Sequence, residues 1–295
     1  MPEITVVMPA HNAQATIKLA IESTLRALPK DSQVLVWSDA STDSTCSIVS
    51  GIRDPRVKLF AHEGHPVGPG RARTELMNRS DSRLIALMDS DDICLPHRFS
   101  VQVSMLEDAD MVFGAALWFG TGIAGLRPTS PWRYTNADTG IALLHHMPFS
   151  NPTALMAREA VEELGGFRST DVAEDYEFVL RAALSEKRIL RTGIPVVLYR
   201  RSVGQVSQED DYAERTRSEP TLWRTFSEHV NRVLPRLDWR TIASSAALTP
   251  AERQDFFTEL ALLTRRMSPA LRGRYRRYAI RNVATMVATG RDHQV

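Results

Sequence analysis

The sequence predicts a mixed α/β fold in which a mostly parallel central sheet is flanked by helices and followed by a C-terminal helical appendage. Strand and helix patterns alternate through the first hundred residues, and repeated βαβ units of this length form a parallel sheet covered on both faces. From Glu209 onward the pattern is almost wholly helical. We therefore predict one domain at residues 1–207, with halves at 1–110 and 111–207, and a helical region at 208–295.

The individual elements follow from apolar periodicity and from the residues that bound each run. Short β-branched or apolar runs predict strands. These are Ile4–Met8, Val34–Trp37, Val57–Phe60, Leu84–Met88, Met111–Ala116, Thr153–Ala157 and Val196–Tyr199. Capping residues predict the helix starts. Helices are expected to begin at His11 or Asn12, at Ser41 or Thr42, at Gly68 and at Val172, and Gly120–Asp138 is expected to be a loop.

Composition and charge limit the function classes. The chain has 295 residues, 43% of them hydrophobic, and a formal net charge of +1, so no nucleic-acid partner is expected. Two cysteines, Cys46 and Cys94, do not make a disulfide framework, which favours a reducing cytoplasm. The N-terminus does not have the pattern of a signal peptide, and no run reaches the ~18 apolar residues of a membrane span.

Positive charge is concentrated near the C-terminus. Eight arginines and no acid occur between Arg265 and Arg291. The stretch is typical of a solvated helix face, and it could also contact an anionic membrane surface. The expected location is therefore the cytoplasm, with peripheral contact at the inner face of the membrane as a second option.

An acidic cluster follows the fourth predicted strand. Asp89, Asp91 and Asp92 lie within four residues, at the strand end where open α/β sheets bind ligands. Clustered carboxylates repel one another, and hard ions such as Mg²⁺ or Mn²⁺ prefer oxygen ligands. Because one capping Asp would not explain three carboxylates, we predict a metal site that a substrate diphosphate completes.

Polar residues also follow the first two strands, on the same predicted rim. His11 could stack on a nucleotide base, and Asp39 could accept hydrogen bonds from its ring N–H groups. The helix that opens at Gly68 offers its N-terminus to anions, and Arg71 or Arg73 could add a cation beside phosphate. No Gly-Lys-Ser/Thr follows, so this is not a Walker loop.

Taken in order, these motifs resemble glycosyltransferase family 2. The resemblance covers residues 3–207 and is carried by Pro9-Ala10-His11-Asn12, Ser38-Asp39-Ala40-Ser41-Thr42-Asp43, Arg73, Asp89-Ser90-Asp91-Asp92 and Glu174-Asp175. It implies the GT-A fold, a nucleotide-binding first half, an acceptor-binding second half and transfer with inversion of the anomeric centre.

The resemblance also implies roles for single residues. Asp175 would be the catalytic base, Asp39 would bind the base of the nucleotide, and Asp91 together with Asp89 would bind Mn²⁺ or Mg²⁺. The remaining nucleotide-binding residues would be Pro9, His11, Asn12, Arg73, Asp89 and Ser90. Glu174 is expected on the acceptor side, and the alternative for both Glu174 and Asp175 is an acidic first helical turn. From the residues alone, Asn151 in a loop and the aromatic Trp118 are further acceptor candidates.

Four positions depart from the family pattern: His11, where an aromatic is frequent, Ser38, Ala40, and Ser202, where many members have a histidine. Because the family usually binds uracil, UDP is the favoured nucleotide, and these departures leave GDP and dTDP open. The Ser202 departure would weaken the metal site or leave it to be completed from elsewhere. The sugar is not identified, and the acceptor could be a glycan, a lipid-linked glycan or a small molecule. A homodimer could form through Leu260, Leu262, Leu263 and Ile280.

Three alternatives belong to other classes. A nucleotidyltransferase that makes nucleotide sugars should have a Gly-rich basic loop after the first strand, where this chain has Pro9-Ala10-His11-Asn12. An aspartyl phosphatase should have Asp-x-Asp-x-Thr after Met88, which is missing. A catalytically degenerate scaffold that binds a partner through its helical tail is the non-enzymatic alternative.

Overall fold

The computed structural model describes residues 3–120, 126–129, 131–170, 172–201, 211–235, 258–259 and 262–275. The strands are β1 (Ile4–Ala10), β2 (Gln33–Asp39), β3 (Val57–His62), β4 (Leu84–Leu87), β5 (Ile93–Cys94), β6 (Met111–Phe119), β7 (Arg127–Pro128), β8 (Leu155–Ala157) and β9 (Ile189–Arg200). The helices are α1 (Ile17–Ala27), α2 (Thr45–Ser50), α3 (Pro69–Asn78), α4 (Arg98–Val103), α5 (Asn136–Ala142), α6 (Arg158–Leu164), α7 (Glu174–Leu184), α8 (Tyr212–Ser218) and α9 (Pro220–Val233).

One sheet organises the described residues, with the strand order β3-β2-β1-β4-β8-β6-β9-β5 and β7 paired to β6. The half that contains β1 to β4 is parallel throughout, as the βαβ pattern predicts. Strand β8 then enters antiparallel to both β4 and β6, and β6 pairs with β9 in parallel. The predicted α/β fold class is confirmed, and the antiparallel β8 joins its two halves into one sheet.

The sheet is buried on both faces, because an apolar cluster lies on each side of it. Strand β1 alternates between the two: Val7 contributes to one cluster, while Val6 and Met8 contribute to the other. Side chains of successive strand residues point to opposite faces, so a strand buried on both sides must be apolar at nearly every position. The run Ile4–Met8 meets this condition and positions the polar residues that follow it at the sheet edge.

Two predicted helix starts are wrong, and both lie where the loops after β1 and β2 contact each other. Helix α1 begins at Ile17 rather than at His11 or Asn12, and α2 begins at Thr45. The backbone N–H groups of Ala13 and Gln14 donate to Thr45 Oγ1 at 2.8 Å and to Asp43 Oδ2 at 3.0 Å. The loop after β2 thus satisfies the donors ahead of α1, which a local capping pattern does not anticipate.

The other differences are smaller. Helix α7 begins at Glu174, two residues after the predicted start, and the segment expected to be a loop contains β7 and the start of α5. Helix α4 begins at Arg98, so none of the aspartates of the acidic cluster caps it. Several predictions lie outside the described residues: the domain boundary near residue 207, Ser202, Leu260, Ile280 and the arginines beyond Tyr275.

Buried Arg98 fixes the end of β4, where the acidic cluster starts. Its Nη2 donates to the backbone oxygens of Leu87 at 2.8 Å and Ala154 at 3.0 Å, and its Nε donates to Gln102 Oε1 at 3.1 Å. Hydrogen bonds from a charged donor are stronger than neutral ones, and this side chain is fully buried. Arg98 therefore holds β4 and the chain before β8 in a fixed relation beneath the cleft.

Candidate active site

A cleft of about 750 Å³ opens at the carboxyl ends of β1, β2 and β4. Ligands bind at this end of open α/β sheets. The structure brings together in its lining all but one of the predicted site residues, namely Pro9, His11, Asp39, Arg73, Asp89, Ser90, Asp91, Trp118, Asn151, Glu174 and Asp175. Asn12 is not in the lining, because its Oδ1 accepts from the backbone N–H of Thr42 at 2.9 Å and braces the neighbouring loop. The geometry leaves the role of each residue as a prediction.

Arg73 lies at the centre of the cleft floor and joins its two sides. The guanidinium donates to Asp89 Oδ1 and to Glu174 Oε1, each at 2.8 Å, and the residue is only 4% exposed. Burial alone would lower the pKa of Arg73, but the two carboxylates raise it above its ordinary value. A permanently charged arginine thus links the loop after β4 to the first turn of α7.

Asp175, the predicted catalytic base, has a carboxyl with a raised pKa. It is half-buried at the start of α7, where Ala173 takes a left-handed conformation with φ of 57°. Burial, followed by repulsion from Glu174, raises the pKa of Asp175 to about 7, although the backbone N–H of Tyr176 and the charge of Arg73 act in the opposite direction. A carboxyl with this pKa accepts a proton efficiently near neutral pH.

The acidic loop has an exposed and a buried side. Asp89 and Asp91 line the cleft, whereas Asp92 is buried and its Oδ1 accepts from the backbone N–H of Arg200 at 2.7 Å. Burial and then repulsion from Asp89 and Asp91 raise the pKa of Asp92 well above its ordinary value. Asp92 therefore anchors the loop to the end of β9 and does not reach the cleft.

Metal binding at this loop would depend on few protein ligands. Across the part of the chain that the structure describes, no group of three or more His, Cys, Asp or Glu side chains is placed to hold a metal ion. Asp89 and Asp91 remain as two carboxylates on the cleft wall, with one oxygen of Asp89 paired to Arg73. Mg²⁺ in proteins commonly takes one or two carboxylates and completes its shell with water and substrate phosphates.

Asp39, which also lines the cleft, closes a loop onto the end of β2. Its carboxylate accepts from the backbone N–H groups of Val67 at 3.0 Å and Gly68 at 2.9 Å. The Nδ1 of His11 is 2.6 Å from the backbone oxygen of Asp39, which holds the ring beside this loop. The indole Nε1 of Trp37 also lies 3.5 Å from Asp39 Oδ1, so protein donors already surround this buried carboxylate.

Cationic and aromatic residues that the sequence did not single out line the other end of the cleft. They are Arg168, Tyr199, Arg201, Tyr212 and Arg215. The guanidinium of Arg201 lies 4.9 Å from the ring centroid of Trp118, a cation–π contact. Tyr212 and Arg215 belong to α8, and no local motif could have assigned a helix of the C-terminal region to the cleft.

His145 and His146 lie outside the cleft lining. Burial lowers the pKa of each to about 4, with smaller contributions from His146 on His145 and from Arg274 on His146. The ring of His146 stacks on Tyr275 with centroids 6.2 Å apart. Both rings are neutral at physiological pH and pack the helical C-terminal region against the domain.

Comparison with known proteins identifies the family of this chain. The family model described as glycosyl transferase family 2 matches residues 5–165, which is more than half of the chain. The chain belongs to glycosyl transferase family 2. The family expected from the sequence is confirmed, and membership removes the nucleotidyltransferase and phosphatase alternatives.

Two relatives of this family-2 chain show high local identity. The succinoglycan biosynthesis protein ExoO of Rhizobium meliloti (strain 1021) is 40% identical over 110 residues, 37% of this chain and 30% of that protein. The UDP-Glc:alpha-D-GlcNAc-diphosphoundecaprenol beta-1,3-glucosyltransferase WfgD of Escherichia coli is 34% identical over 103 residues, 35% of this chain and 40% of that protein. In both cases the match spans less than half of the relative's length.

Longer matches have lower identity. The Escherichia coli glucosyltransferase WfaP, whose name states the same donor and acceptor, is 25% identical over 210 residues, 70% of this chain and 80% of that protein. The crystal structure of S. aureus TarS 1-349 in complex with UDP-GlcNAc has a TM-score of 0.62 and 18% identity, covering 100% of this chain and 93% of that chain. At this identity the likeness shows the fold alone, and the fold is the predicted one.

Among the described helices, none is both long and apolar enough to cross a bilayer.

Proposed function

We propose that this family-2 protein transfers a sugar from UDP-sugar to a hydroxyl of a lipid-linked glycan, with inversion at the anomeric carbon and Asp175 as general base. The observation that carries the proposal is the Asp89–Arg73–Glu174 ion triad, which joins the donor-side loop to the helix start that presents Asp175. One rigid unit thereby sets the position of the base relative to the donor-side carboxylates. Holding the reacting groups in line is a large part of the rate enhancement in group transfer.

The donor is proposed as UDP-sugar rather than GDP- or dTDP-sugar. Three relatives are named for UDP-Glc or for a glucosyl transfer, which supports UDP and glucose as the first donor to test. In this chain His11 and Asp39 lie together at the end of the cleft formed by β1 and β2. Their ring and carboxylate would stack on uracil and accept from its ring N–H, as the sequence predicted.

The chemical step needs a base on one side of the sugar and charge compensation on the other. Asp175 would take the proton of the acceptor hydroxyl as its oxygen attacks the anomeric carbon, while the bond from that carbon to the diphosphate oxygen breaks. The pKa of Asp175 near 7 lets it accept this proton and release it afterwards. Inversion requires the attacking and leaving oxygens on opposite faces of the ring, and the transition state between them has oxocarbenium character.

The carboxylates of Asp89 and Asp91 are suitable ligands for a divalent ion. Asp91, with Asp89 beside it, would hold Mg²⁺ or Mn²⁺, and the ion would offset the negative charge that grows on the leaving diphosphate. Asp92 would keep this loop in place through its hydrogen bond to the backbone of Arg200. The charge of Arg73 would hold Asp89 in its position.

The acceptor is proposed as a glycan on a lipid diphosphate. The names of WfgD and WfaP specify a GlcNAc on diphosphoundecaprenol, and a third relative, from Campylobacter jejuni, is named for a diNAcBac-PP-undecaprenol-linked acceptor. In this chain Trp118 would stack on an acceptor sugar, and Arg168 and Arg201, which also line the cleft, would contact its phosphates. Arginine is well suited to phosphate because its planar fork can donate two parallel hydrogen bonds.

Turnover of UDP-glucose with a GlcNAc-diphosphate lipid analogue tests the proposal. We expect UDP release that depends on the acceptor, and a β-linked product by proton NMR because the donor is α-linked. UDP release with an α-linked product would contradict inversion and the base role of Asp175. No release from UDP-, GDP- or dTDP-sugars by folded protein would favour the degenerate binding scaffold.

A further inference from the structure

The exposed hydrophobic side chains are concentrated on one part of the molecule. Among the described residues the large ones are Leu19, Trp118, Leu126, Trp132, Ile194, Trp223 and Leu262. Four of these seven lie on β6, on β9 or on the segment between β6 and α5. We name the described part of that segment, residues 126–129 and 131–134, the strap. Leu126 is 57% exposed, Ile194 47% and Trp132 41%, so these side chains leave much of their apolar surface in water.

Backbone contacts place the strap against β6 and β9. Thr129 N–H donates to the backbone oxygen of Ala116 at 2.8 Å, and Tyr134 and Arg191 exchange backbone hydrogen bonds at 3.0 and 3.1 Å. Between these points the strap lies so close to β9 that a Cβ on Gly193 would be 2.0 Å from the backbone oxygen of Pro131. The exposed residues Trp132 and Ile194 directly follow these two positions, so their backbones lie side by side.

The two sequence segments that form this surface contain arginines and no acid. The sequence has no Asp or Glu between Asp110 and Asp138, nor between Lys187 and Glu209. Both strap arginines, Arg127 and Arg133, are exposed. Tryptophan and aliphatic side chains among arginines are the composition of a surface that binds an anionic bilayer, where indole rings lie at the headgroup level and each cation adds affinity.

The same surface continues into the cleft. Trp118 pairs in register with Arg127 across β6 and β7, and it lines the cleft together with Arg201. We propose that the strap and Ile194 form a docking surface for an anionic lipid bilayer, which turns the acceptor end of the cleft toward the membrane. The proposal of a docking surface depends only on the observations above, whereas its use in binding a lipid-linked acceptor rests on the proposed function.

This location differs from the site of membrane contact that the sequence offered as a second option. The arginine-rich stretch that begins at Arg265 was the first candidate for membrane contact, and its described part packs on the domain through Tyr275, whose hydroxyl is 3.1 Å from that of Tyr134. The two candidates are separable because they use different arginines. Reversing the charge of the arginines in each candidate, in separate variants, shows which of the two surfaces binds the membrane.

Vesicle co-sedimentation with the full chain tests the proposal. The probes are vesicles of phosphatidylcholine alone and of phosphatidylcholine mixed with phosphatidylglycerol. We expect wild type to bind the anionic vesicles, and Arg127→Glu/Arg133→Glu to lower the partition coefficient at least about tenfold, since each arginine near an anionic surface contributes about fivefold. Trp132→Ala/Ile194→Ser should weaken binding in the same direction.

Matched controls carry equal changes elsewhere on the molecule. Arg53→Glu/Arg83→Glu reverses two exposed arginines near β3 and β4, and Leu19→Ser and Trp223→Ala remove exposed apolar groups from α1 and α9. These variants, and Arg276→Glu/Arg277→Glu in the C-terminal stretch, should keep wild-type binding. Unchanged binding by both strap variants, loss of binding in Arg276→Glu/Arg277→Glu alone, or no wild-type binding to anionic vesicles would overturn the proposal.

A second readout separates this proposal from the proposed function. UDP release from UDP-glucose with a short-chain water-soluble acceptor should be unchanged in the strap variants, because none of the substituted residues lines the cleft. Vesicle binding without any turnover would refute the proposed activity and leave the docking surface intact. Turnover without vesicle binding would refute the docking surface and leave the proposed activity intact.

Discussion

Asp175→Asn is expected to lower the rate of sugar transfer by about 10²–10⁴-fold while UDP binding stays close to wild type. The amide has nearly the same shape as the carboxyl but cannot accept the proton of the acceptor hydroxyl. Its neighbour Glu174 keeps the ion pair with Arg73, so the cleft should retain its geometry. Steady-state kinetics with UDP-glucose, beside calorimetric titration of UDP, separates the chemical step from donor binding.

The pH dependence gives the same residue a second signature. Because the pKa of Asp175 is raised to about 7, the active carboxylate form increases as the pH rises through 7, and kcat/KM should rise with it. Stability should change in the opposite sense. Between the ordinary pKa of 3.8 and about 7 the folded state holds a proton that the unfolded state has released, so the free energy of unfolding falls as the pH rises.

Asp175→Asn removes the ionisable group and should therefore reduce that fall in stability between pH 4 and 7. Asp108→Asn, an exposed aspartate outside the cleft, is the matched control and should keep both the wild-type rate and the wild-type pH profile. A variant at Asp175 that transfers sugar at more than about a tenth of the wild-type rate would assign the base to another residue.

Arg73→Met is expected to cost about 3–5 kcal/mol of folding stability, the range seen when one partner of a buried ion pair is removed. Asp89 and Glu174 would lose their common cation inside a site where Arg73 is nearly inaccessible to solvent. Two uncompensated carboxylates would repel each other and Asp175. Urea denaturation gives the free energy of unfolding, and UDP-glucose turnover should be lost.

Arg73→Lys tests the same triad in a variant that keeps the charge. One ammonium does not reproduce the two separate guanidinium contacts, to Asp89 and to Glu174, so stability should be intermediate. The charge of Arg73 lowers the pKa of Asp175, so a less well-placed cation should move the midpoint of the pH–rate profile upward.

Arg83→Met removes a 69% exposed arginine from a surface pair with Glu3 and should cost at most about 1 kcal/mol. Equal stability losses in Arg73→Met and Arg83→Met would contradict the role of the triad.

The sequence could predict the parallel half of the fold because its signals are local. Runs such as Ile4–Met8 and Leu84–Met88 must be apolar to be buried on both faces, and the polar residues behind them must then share one sheet edge. The cleft at that edge was predictable for the same reason. The helix starts of α1 and α2 were not, because Thr45 and Asp43 satisfy backbone donors about thirty residues earlier in the chain.

Features that depend on contacts between residues far apart in the chain could not be predicted from the sequence. Asp92 belongs to the same short motif as Asp89 and Asp91, but only the approach of the Arg200 backbone shows that it is an anchor rather than a ligand. Arg73 was expected near the nucleotide, and its bridge to Glu174 joins residues 101 positions apart. Tyr212 and Arg215 reach the cleft because α8 folds back onto the domain, which no spacing in the chain records.

Titration of UDP into the full chain, with and without Mn²⁺, tests the central claim most directly. Calorimetry on wild type, on Asp91→Ala and on Asp81→Ala as an exposed aspartate control gives affinity and metal dependence together. We predict UDP binding that Mn²⁺ strengthens, a loss of that strengthening in Asp91→Ala by at least about tenfold, and wild-type behaviour in Asp81→Ala. Folded wild-type protein that binds none of UDP, GDP and dTDP in the presence of Mn²⁺ would contradict the account.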